Sequence, residues 1–419
     1  MRGYNNNIQL GHIDVCQICQ SADLQQVLSM GYFAPCDSLL TKEMLEQAEK
    51  SYPLNLIRCR ACGLVQIDYV VDKRELFYPE YPYRSGITET LRNNLHAISK
   101  HVSNKIKLSE NALVVDIGSN DGTILEGFKS SGMRVLGVEP TNIADIANQN
   151  GVETIKDYFS LDIAQQIITK HGKASLVVAA NVFAHINELS SLIEGVHFLL
   201  EDEGIFVTES HYQLDILETL QYDSVYHEHL RYYLVKPLIK IFSEKGFTLF
   251  DIERIPNYGG SIRVYAAKGI QHKVSDNVCR LIDLEEKMGV YQDDTYELFR
   301  QEAESSRKKI RSLIVRLNDD GKRIVGVGCP GRSATLLNYC GITSDMMPYI
   351  AEQSSSLKLG MFTPNTHIPV IDESLMLKEQ PDYALILTWH YAEPIIKHLR
   401  AKGLRSKIII PLPEIKIIG

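Results

Sequence analysis

The sequence predicts an α/β protein: a doubly wound, largely parallel sheet, flanked by a small cysteine-bearing block before it and a smaller α/β unit after it. Three observations carry that prediction. Two Cys-x-x-Cys pairs lie within the first 75 residues. From about 110 to 270, apolar strand runs alternate with helical patterns. After a charged helical stretch, the alternation restarts near Arg323. A chain of 419 residues accommodates roughly three domains, and the expected spans are 1–75, 76–272 and 273–419.

The N-terminal block comes first. Cys16-Gln-Ile-Cys19 and Cys59-Arg-Ala-Cys62 are two tight pairs separated by 39 residues. A two-residue gap lets one turn aim two thiolates at one ion, and two such turns complete a tetrahedral zinc site. Gly63 supplies the backbone freedom that such a turn needs. Four sulfur ligands leave no open position, so the expected zinc is structural, a staple for a block with little core of its own. The other four cysteines are scattered, which argues against a disulfide framework.

The expected strands of the central sheet are Ala112–Ile117, Arg134–Val138, Thr154–Ile155, Leu176–Ala180 and Ile205–Thr208. Two more, Thr248–Ile252 and Ser261–Ala267, are joined by a short Pro-Asn-Tyr-Gly-Gly loop and read as an antiparallel pair. Residues 277–318 read as a charged helical stretch with Leu281, Leu284, Met288, Leu313 and Leu317 at helical spacing. The last unit has five expected strands: Arg323–Val327, Pro348–Ala351, Ile368–Ile371, Tyr383–Thr388 and Lys407–Ile410.

Composition narrows the function classes. Hydrophobic residues make up 44% and charged residues 23%, ordinary for a globular protein, and the formal charge is −8. A net acidic chain is a poor partner for phosphate backbones, so no nucleic acid is expected. The one dense basic run, Arg307-Lys308-Lys309 with Arg311, reads as a solvated helix face. No apolar run approaches the ~20 residues of a membrane span, and Met1–Leu10 lacks a leader pattern. The expected location is cytoplasmic, with no membrane partner. A monomer is compatible with this reading.

The first expected strand runs into Asp116-Ile-Gly118-Ser-Asn120-Asp-Gly122 and then a helix. Gly118 and Gly122 allow a ligand to approach the backbone. The spacing differs from the dinucleotide fingerprint and lacks its middle glycine. Glu139 closes the next strand, where a carboxylate can accept ribose hydroxyls. This order resembles the class I S-adenosylmethionine-dependent methyltransferases. The resemblance implies a doubly wound methyltransferase sheet, with Asp116, Gly118, Asn120 and Gly122 bordering the methionine part of the cofactor. It also implies Glu139 on the ribose, Asp157 and Tyr158 at the adenine, and Asn181 at the crevice where the fourth strand ends.

Histidine and tyrosine concentrate in Asn181-Val-Phe-Ala-His185, Glu209-Ser-His211 and Tyr222 to Tyr233, which includes Tyr226-His227-Glu228-His229. The last is not a His-Glu-x-x-His metal helix, since its histidines are two apart. Histidine exchanges protons near neutral pH and a carboxylate can orient it, as deprotonation beside a carbonyl requires. Taken singly, His211 and His227 read as hydrogen-bonded core residues. Tyr78-Pro-Glu-Tyr81-Pro-Tyr83-Arg-Ser-Gly86 reads either as a tyrosine wall stiffened by prolines or as a packed linker.

Taken together, the double Cys-x-x-Cys, Tyr81-Pro-Tyr83-Arg-Ser, Asp-Ile-Gly-x-Asn-Asp-Gly, Asn-Val-Phe-Ala-His185 and Tyr226-His-Glu-His229 resemble the nucleotide-sugar C-methyltransferase family. The likeness extends into the last unit through Gly326-Val-Gly328-Cys-Pro-Gly331-Arg332 and Leu337-Asn-Tyr-Cys340. It implies a Rossmann-like C-terminal domain that encloses a sugar nucleotide, and methylation of a 4-keto-6-deoxy sugar, typically at carbon 3. By that resemblance His229, oriented by Glu228, removes the proton beside the ketone. His185 and Tyr226 stabilise the enolate, and Tyr81 or Tyr83 orients the reactants. Gly326, Gly328 and Gly331 also have NAD-fingerprint spacing, with Glu352 as the only acidic closer. The family's usual lysine after these glycines is replaced here by Arg332. Two rivals are an O- or N-methyltransferase on a small acceptor, which leaves the His/Glu cluster unexplained, and a zinc-anchored scaffold. The intact Asp116, Gly118, Gly122 and Glu139 set argues against the scaffold.

Overall fold

The computed structural model describes residues 10–79, 81, 84–86, 89–270 and 272–419. The expected Tyr83 lies outside the described residues. Near the N-terminus, β1 (Leu24–Phe33), β2 (Tyr52–Cys59) and β3 (Val65–Ile67) form an antiparallel sheet. The expected strands did not include this long β1–β2 hairpin. Its register shifts twice, at Gln26/Leu28 and Ser29/Tyr32, and such bulges break the alternation that marks a strand in sequence.

The central sheet contains β4 (Leu113–Ile117), β5 (Arg134–Val138), β6 (Thr154–Ile155), β7 (Ala174–Ala180) and β8 (Leu200–His211). These five are parallel and largely buried, as runs such as Leu-Val-Val and Leu-Val-Val-Ala-Ala require when helices cover both faces. β8 begins earlier than expected, because Glu201-Asp-Glu-Gly204 interrupts the pairing without ending the strand. Between this sheet and its last hairpin, β9 (Arg231–Tyr232) leaves the domain and pairs with β3, Arg231 opposite Gln66 and Tyr232 opposite Val65. The hairpin of β10 (Phe247–Ile255) and β11 (Ser261–Lys268) is antiparallel as expected, giving the order β10-β11-β8-β7-β4-β5-β6. Gly260, at φ +124° in the connecting loop, leaves no room for a Cβ beside Asp215.

The charged helical stretch is two helices, α1 (Asp276–Lys287) and α2 (Asp293–Asp319). Gly289 at φ +66° lets the chain turn between them. The third sheet has β12 (Ile324–Val327), β13 (Ile350–Glu352), β14 (Val370–Asp372), β15 (Tyr383–Ile386), β16 (Lys407–Ile410) and β17 (Lys416–Ile418). It runs β14-β13-β12-β15-β16-β17, parallel except for β17. The additional strand β17 was not among the expected elements. Helix α3 (Gly331–Cys340) follows β12.

One core joins these parts. Val27, Leu28, Leu56 and Ile67 of the N-terminal sheet share a buried cluster with Phe299 and Ile310 of α2 and Leu336 and Leu337 of α3. Arg58 is buried, donates to the Tyr291 carbonyl at 2.9 Å and pairs with Asp293 at the start of α2. Among the described residues, no helix is long and apolar enough to cross a membrane.

The four paired cysteines converge, their sulfurs all within 4.8 Å of one another and the Cys16–Cys62 and Cys19–Cys59 separations both 3.5 Å. Four sulfurs at ~2.3 Å from a tetrahedral zinc stand roughly 3.8 Å apart, so the donor set fits that ion. Cys16 Sγ also accepts the Ile18 and Cys19 amides, at 3.4 and 3.5 Å, which closes the turn. Gly63 has φ +83°, and a Cβ there would sit 2.6 Å from the Tyr291 ring.

Because β9 pairs with β3, loss of the metal reaches residues far away in sequence. Cys59→Ser is expected to abolish stoichiometric zinc and destabilise the chain by about 4 kcal/mol, as loss of a structural metal does. In hydrogen exchange, Arg231 and Tyr232 would lose protection together with Val65 and Gln66. Retained protection at all four, with zinc gone by atomic absorption, would refute the link.

Candidate active site

The cofactor loop lies at the carboxyl ends of β4 and β5, where α/β sheets bind ligands. Gly118 has φ +69°, and a Cβ there would lie 2.5 Å from a methyl of Val182. Its amide and that of Ser119 donate to the Val138 carbonyl, at 2.8 and 3.2 Å. Glu139 is tied back by the Asn120 amide on one oxygen (3.2 Å) and by the Thr141 amide and hydroxyl on the other (2.9 and 2.7 Å). Burial and the Glu139 charge push the Asp116 carboxyl well above the usual carboxylate range. A bound ammonium would relieve that cost, so Asp116 fits the amino-acid end of S-adenosylmethionine, while Glu139 at the end of β5 fits the ribose.

Asn181, at φ +57° beyond β7, has a buried side-chain oxygen with no hydrogen-bond partner among the described residues. It is free to meet a ligand at the crevice. Tyr158 is half-buried and its hydroxyl donates to the Phe77 carbonyl at 3.1 Å, while Asp157 is exposed beside it. Asp121, which the sequence reading did not single out, holds the linker. It accepts from Arg84 and from the Gly86 amide, both at 2.9 Å, while Ser85 donates to Asn120 at 2.8 Å. The signal was there in the paired Asn-Asp, but only the fold shows that the tyrosine segment docks on it.

Three histidines from three segments meet. The ring centroids of His185 and His211 each lie 4.8 Å from that of His229, and Tyr226 lies 3.9 Å from it. His185 sits three residues past Val182, the residue that packs on Gly118, so the cluster adjoins the cofactor loop. The Ser224 carbonyl accepts from His229 Nδ1 at 3.0 Å, and Tyr226 Oη lies 2.8 Å from Nε2. A carbonyl only accepts, so Nδ1 carries the hydrogen and Nε2 offers its lone pair to the Tyr226 hydroxyl. Burial lowers the imidazoles: His185 to about 4, His211 to about 3 and His229 well below its ordinary value. All three are neutral at pH 7.

Two expectations are corrected here. The group that orients His229 is the Ser224 carbonyl, not Glu228. Glu228 points the other way, toward Cys36 and Asp37, their ligating atoms within 4.8 Å of one another. Burial and the Asp37 charge push its carboxyl up to about 7. His211, read singly as a core residue, belongs to the cluster, and its place at the end of β8 was the available signal. His227 does face the N-terminal block, 3.1 Å from the Pro53 carbonyl.

The segment carrying this cluster is held from both sides. The Leu230 amide donates to Ala184 at 3.0 Å, and its carbonyl accepts from Ile67 at 3.2 Å. The buried Arg231 guanidinium donates to the Ile186 and Asn187 carbonyls, at 2.6 and 3.1 Å.

The tyrosine segment faces Asp37. Tyr78 donates to its carbonyl at 2.8 Å and Tyr81 to its carboxylate at 3.3 Å. Lys358 pairs with the same carboxylate at 2.7 Å and donates to the Cys329 carbonyl at 2.9 Å. In the C-terminal glycine loop, a Cβ on Gly331 would lie 2.7 Å from Cys36 Sγ and 3.6 Å from Asp37. Glu352 accepts the Cys329 amide at 2.7 Å. Cys36 of the N-terminal block thus packs directly against the backbone of this turn at Gly331.

Comparison with known proteins finds a family model for each part of the chain. Residues 16–77 match the family model "Putative zinc binding domain", 83–252 match "Methyltransferase domain" and 256–413 match "C-methyltransferase C-terminal domain". The chain is 33% identical over 412 residues to C-methyltransferase NovU of Streptomyces niveus, covering 97% of each. Solved structures give only distant likenesses, which carry no argument here. Magnesium protoporphyrin IX methyltransferase of Synechocystis PCC 6803 is 16% identical, covers 42% of this chain and 83% of its own, and has a TM-score of 0.34. The PH0226 protein of Pyrococcus horikoshii OT3 is 14% identical, with coverage of 45% and 96% and a TM-score of 0.36. The family models and the full-length relative decide between carbon and heteroatom acceptors, and they match the four-sulfur cluster, the cofactor loop and the C-terminal unit in turn: the chain belongs to the zinc-binding, S-adenosylmethionine-dependent C-methyltransferases.

Proposed function

We propose that the protein methylates a carbon next to the ketone of a nucleotide-linked 4-keto-6-deoxy sugar, most naturally carbon 3. The observation that supports this reading is the neutral His229, its Nε2 lone pair turned toward the Tyr226 hydroxyl and its ring set against His185 beside the cofactor loop. Heteroatom acceptors have lone pairs of their own. A sugar carbon has none until a base removes the proton that an adjacent ketone has made acidic.

Bound S-adenosylmethionine supplies an electrophilic methyl group, and Asp116, Gly118, Asn120, Gly122, Glu139, Asp157, Tyr158 and Asn181 would hold it. His229 Nε2 takes the proton from the carbon beside the ketone, and the C–H electron pair moves into the enolate. The C–H must replace the Tyr226 hydroxyl at Nε2, which frees that hydroxyl to donate to the enolate oxygen with His185. Donors aimed at developing charge are where such sites gain most. Tyr81 and Glu228, together at Asp37, form the wall against which the sugar is oriented. The sugar nucleotide lies between the central and C-terminal sheets.

The test is a panel of nucleotide 4-keto sugars with S-adenosylmethionine, read by mass spectrometry for a gain of one methyl. No gain with any member would overturn the substrate class. His229→Gln is expected to slow turnover by about 10²–10⁴-fold, the usual worth of a positioned base, and to abolish solvent deuterium uptake at the sugar carbon. Full exchange in that variant would rule out the assignment.

Because burial depresses the imidazoles, the acid limb of kcat/KM is expected below the ordinary histidine value of ~6.5. The same groups cost stability as pH falls from that value through the folded values of about 4 and 3 for His185 and His211. Glu228 has the opposite sign. Its folded value near 7 stands above the unfolded carboxyl, so its contribution is full in acid and lost as pH rises toward 7. Glu228→Gln should therefore gain stability relative to the parent above pH 7, by up to about 3 kcal/mol. A pH-independent difference in urea midpoints would contradict that value.

A further inference from the structure

Arg332 opens helix α3 of the C-terminal domain, yet most of its hydrogen-bond partners lie in the central domain. It is 5% exposed. Nε and Nη2 grip the two oxygens of Asp223 at 2.9 and 2.8 Å. Nη2 also reaches Gln221 Oε1 at 2.9 Å and Ser224 Oγ at 2.6 Å. Nη1 donates to the Tyr258 carbonyl at 3.3 Å and to His390 Nδ1 at 3.1 Å. Trp389 donates to Asp223 at 2.7 Å and lies under the guanidinium, 5.2 Å away. One cation thus clamps residues 221–224 of the central domain from the C-terminal domain.

Ser224 is used at both ends. Its hydroxyl accepts from Arg332, while its carbonyl accepts from His229 Nδ1 and from Tyr232 Oη at 3.1 Å. Next to it, the Val225 carbonyl accepts from Thr335 of the same helix at 2.8 Å. The Ser224–Val225 stretch is therefore held through the serine hydroxyl by Arg332 and through its two carbonyls by His229, Tyr232 and Thr335. Without the guanidinium, Asp223 becomes a buried carboxylate whose remaining side-chain donor among the described residues is Trp389. Such a charge costs several kcal/mol and moves the backbone that carries it.

We propose that Arg332 is a positioning residue for methyl transfer: by clamping Asp223 and Ser224, it holds His229 in the Nδ1–H tautomer, with Nε2 facing the substrate. A planar fork is needed to serve acceptors on five residues at once, and a lysine ammonium at this position cannot do so. The catalytic part of this inference rests on His229 being the base, as proposed above. The tautomer part does not.

The experiment uses the full-length protein with its zinc. Histidine-labelled ¹⁵N NMR reads the His229 ring, its signals identified by their loss in His229→Gln. In Arg332→Gln, the Nδ1–H pattern is expected to give way to mixed tautomers. Its kcat should fall about 10²-fold, within the share a positioned base supplies, while KM and cofactor affinity stay within about threefold. Arg332→Lys should recover the fold and part of kcat, and serves in place of Arg332→Gln if that variant does not fold. An unchanged tautomer in either folded variant, or turnover within about twofold of the parent, overturns the proposal. Should His229→Gln itself prove fully active, the base assignment fails separately and is recognised before any Arg332 variant is read.

Discussion

The hydrogen bond from His229 Nδ1 to the Ser224 carbonyl is the constraint on which the rest of the proposed chemistry depends. It decides which ring nitrogen has the lone pair, and everything around it serves to keep that carbonyl still. The cofactor domain contributes the strand ends that bring His185 and His211 against the ring. The zinc-bearing sheet contributes an edge strand that captures Arg231 and Tyr232. The C-terminal domain contributes Arg332 and Thr335. The three parts thus fix the twelve-residue segment from Gln221 to Tyr232 at different points. A loop that must carry chemistry is here denied the mobility loops usually have.

The sheet capture also explains why a structural metal is worth keeping in an enzyme whose chemistry does not use it. Zinc pins the two cysteine turns of a block whose strands bury Val27, Leu28, Leu56 and Ile67, and that block is what presents the β3 edge. An unpaired edge is a template for another strand. In this chain the template is occupied by the segment next to the proposed base. The metal thereby acts on the site through backbone pairing and not through its charge.

The sequence made some of this legible and hid the rest for physical reasons. Parallel, doubly buried strands leave continuous apolar runs, so β4, β5 and β7 were readable to within a residue or two. The paired cysteines were readable because two-residue gaps have few other uses. β1 was not, since its bulges destroy the alternation, and β9 was not, since two residues carry no period at all. The site followed the same division. Residues inside motifs, such as Asp116, Glu139, His185 and His229, could be nominated from local pattern. The orienting role given to Glu228 could not be judged that way, because adjacency in sequence says nothing about direction: successive side chains of an irregular segment diverge, and Glu228 faces Cys36 while His229 faces Ser224. Arg332 was noticed only as a departure from a lysine, and its hydrogen-bond partners lie 58 to 111 residues away in the chain.

The electrostatic design of the cluster follows from what each group costs to bury. A histidine with an ordinary value near 6.5 is already mostly neutral at pH 7, so keeping it neutral in the interior costs only about 0.2 kcal/mol of ionisation. Three imidazoles can therefore be packed together almost free of charge penalty, whereas Glu228 resists ionisation until about pH 7. The consequence is that His229 is a weak base before substrate arrives. Its strength must come from the reaction itself. As the proton leaves carbon, negative charge grows on the enolate oxygen a few ångströms from the forming imidazolium, and in a buried site that attraction is several times what it is in water. A base that is feeble at rest and strengthened only by the charge it creates stays deprotonated, and so ready to act, at any pH the cell offers.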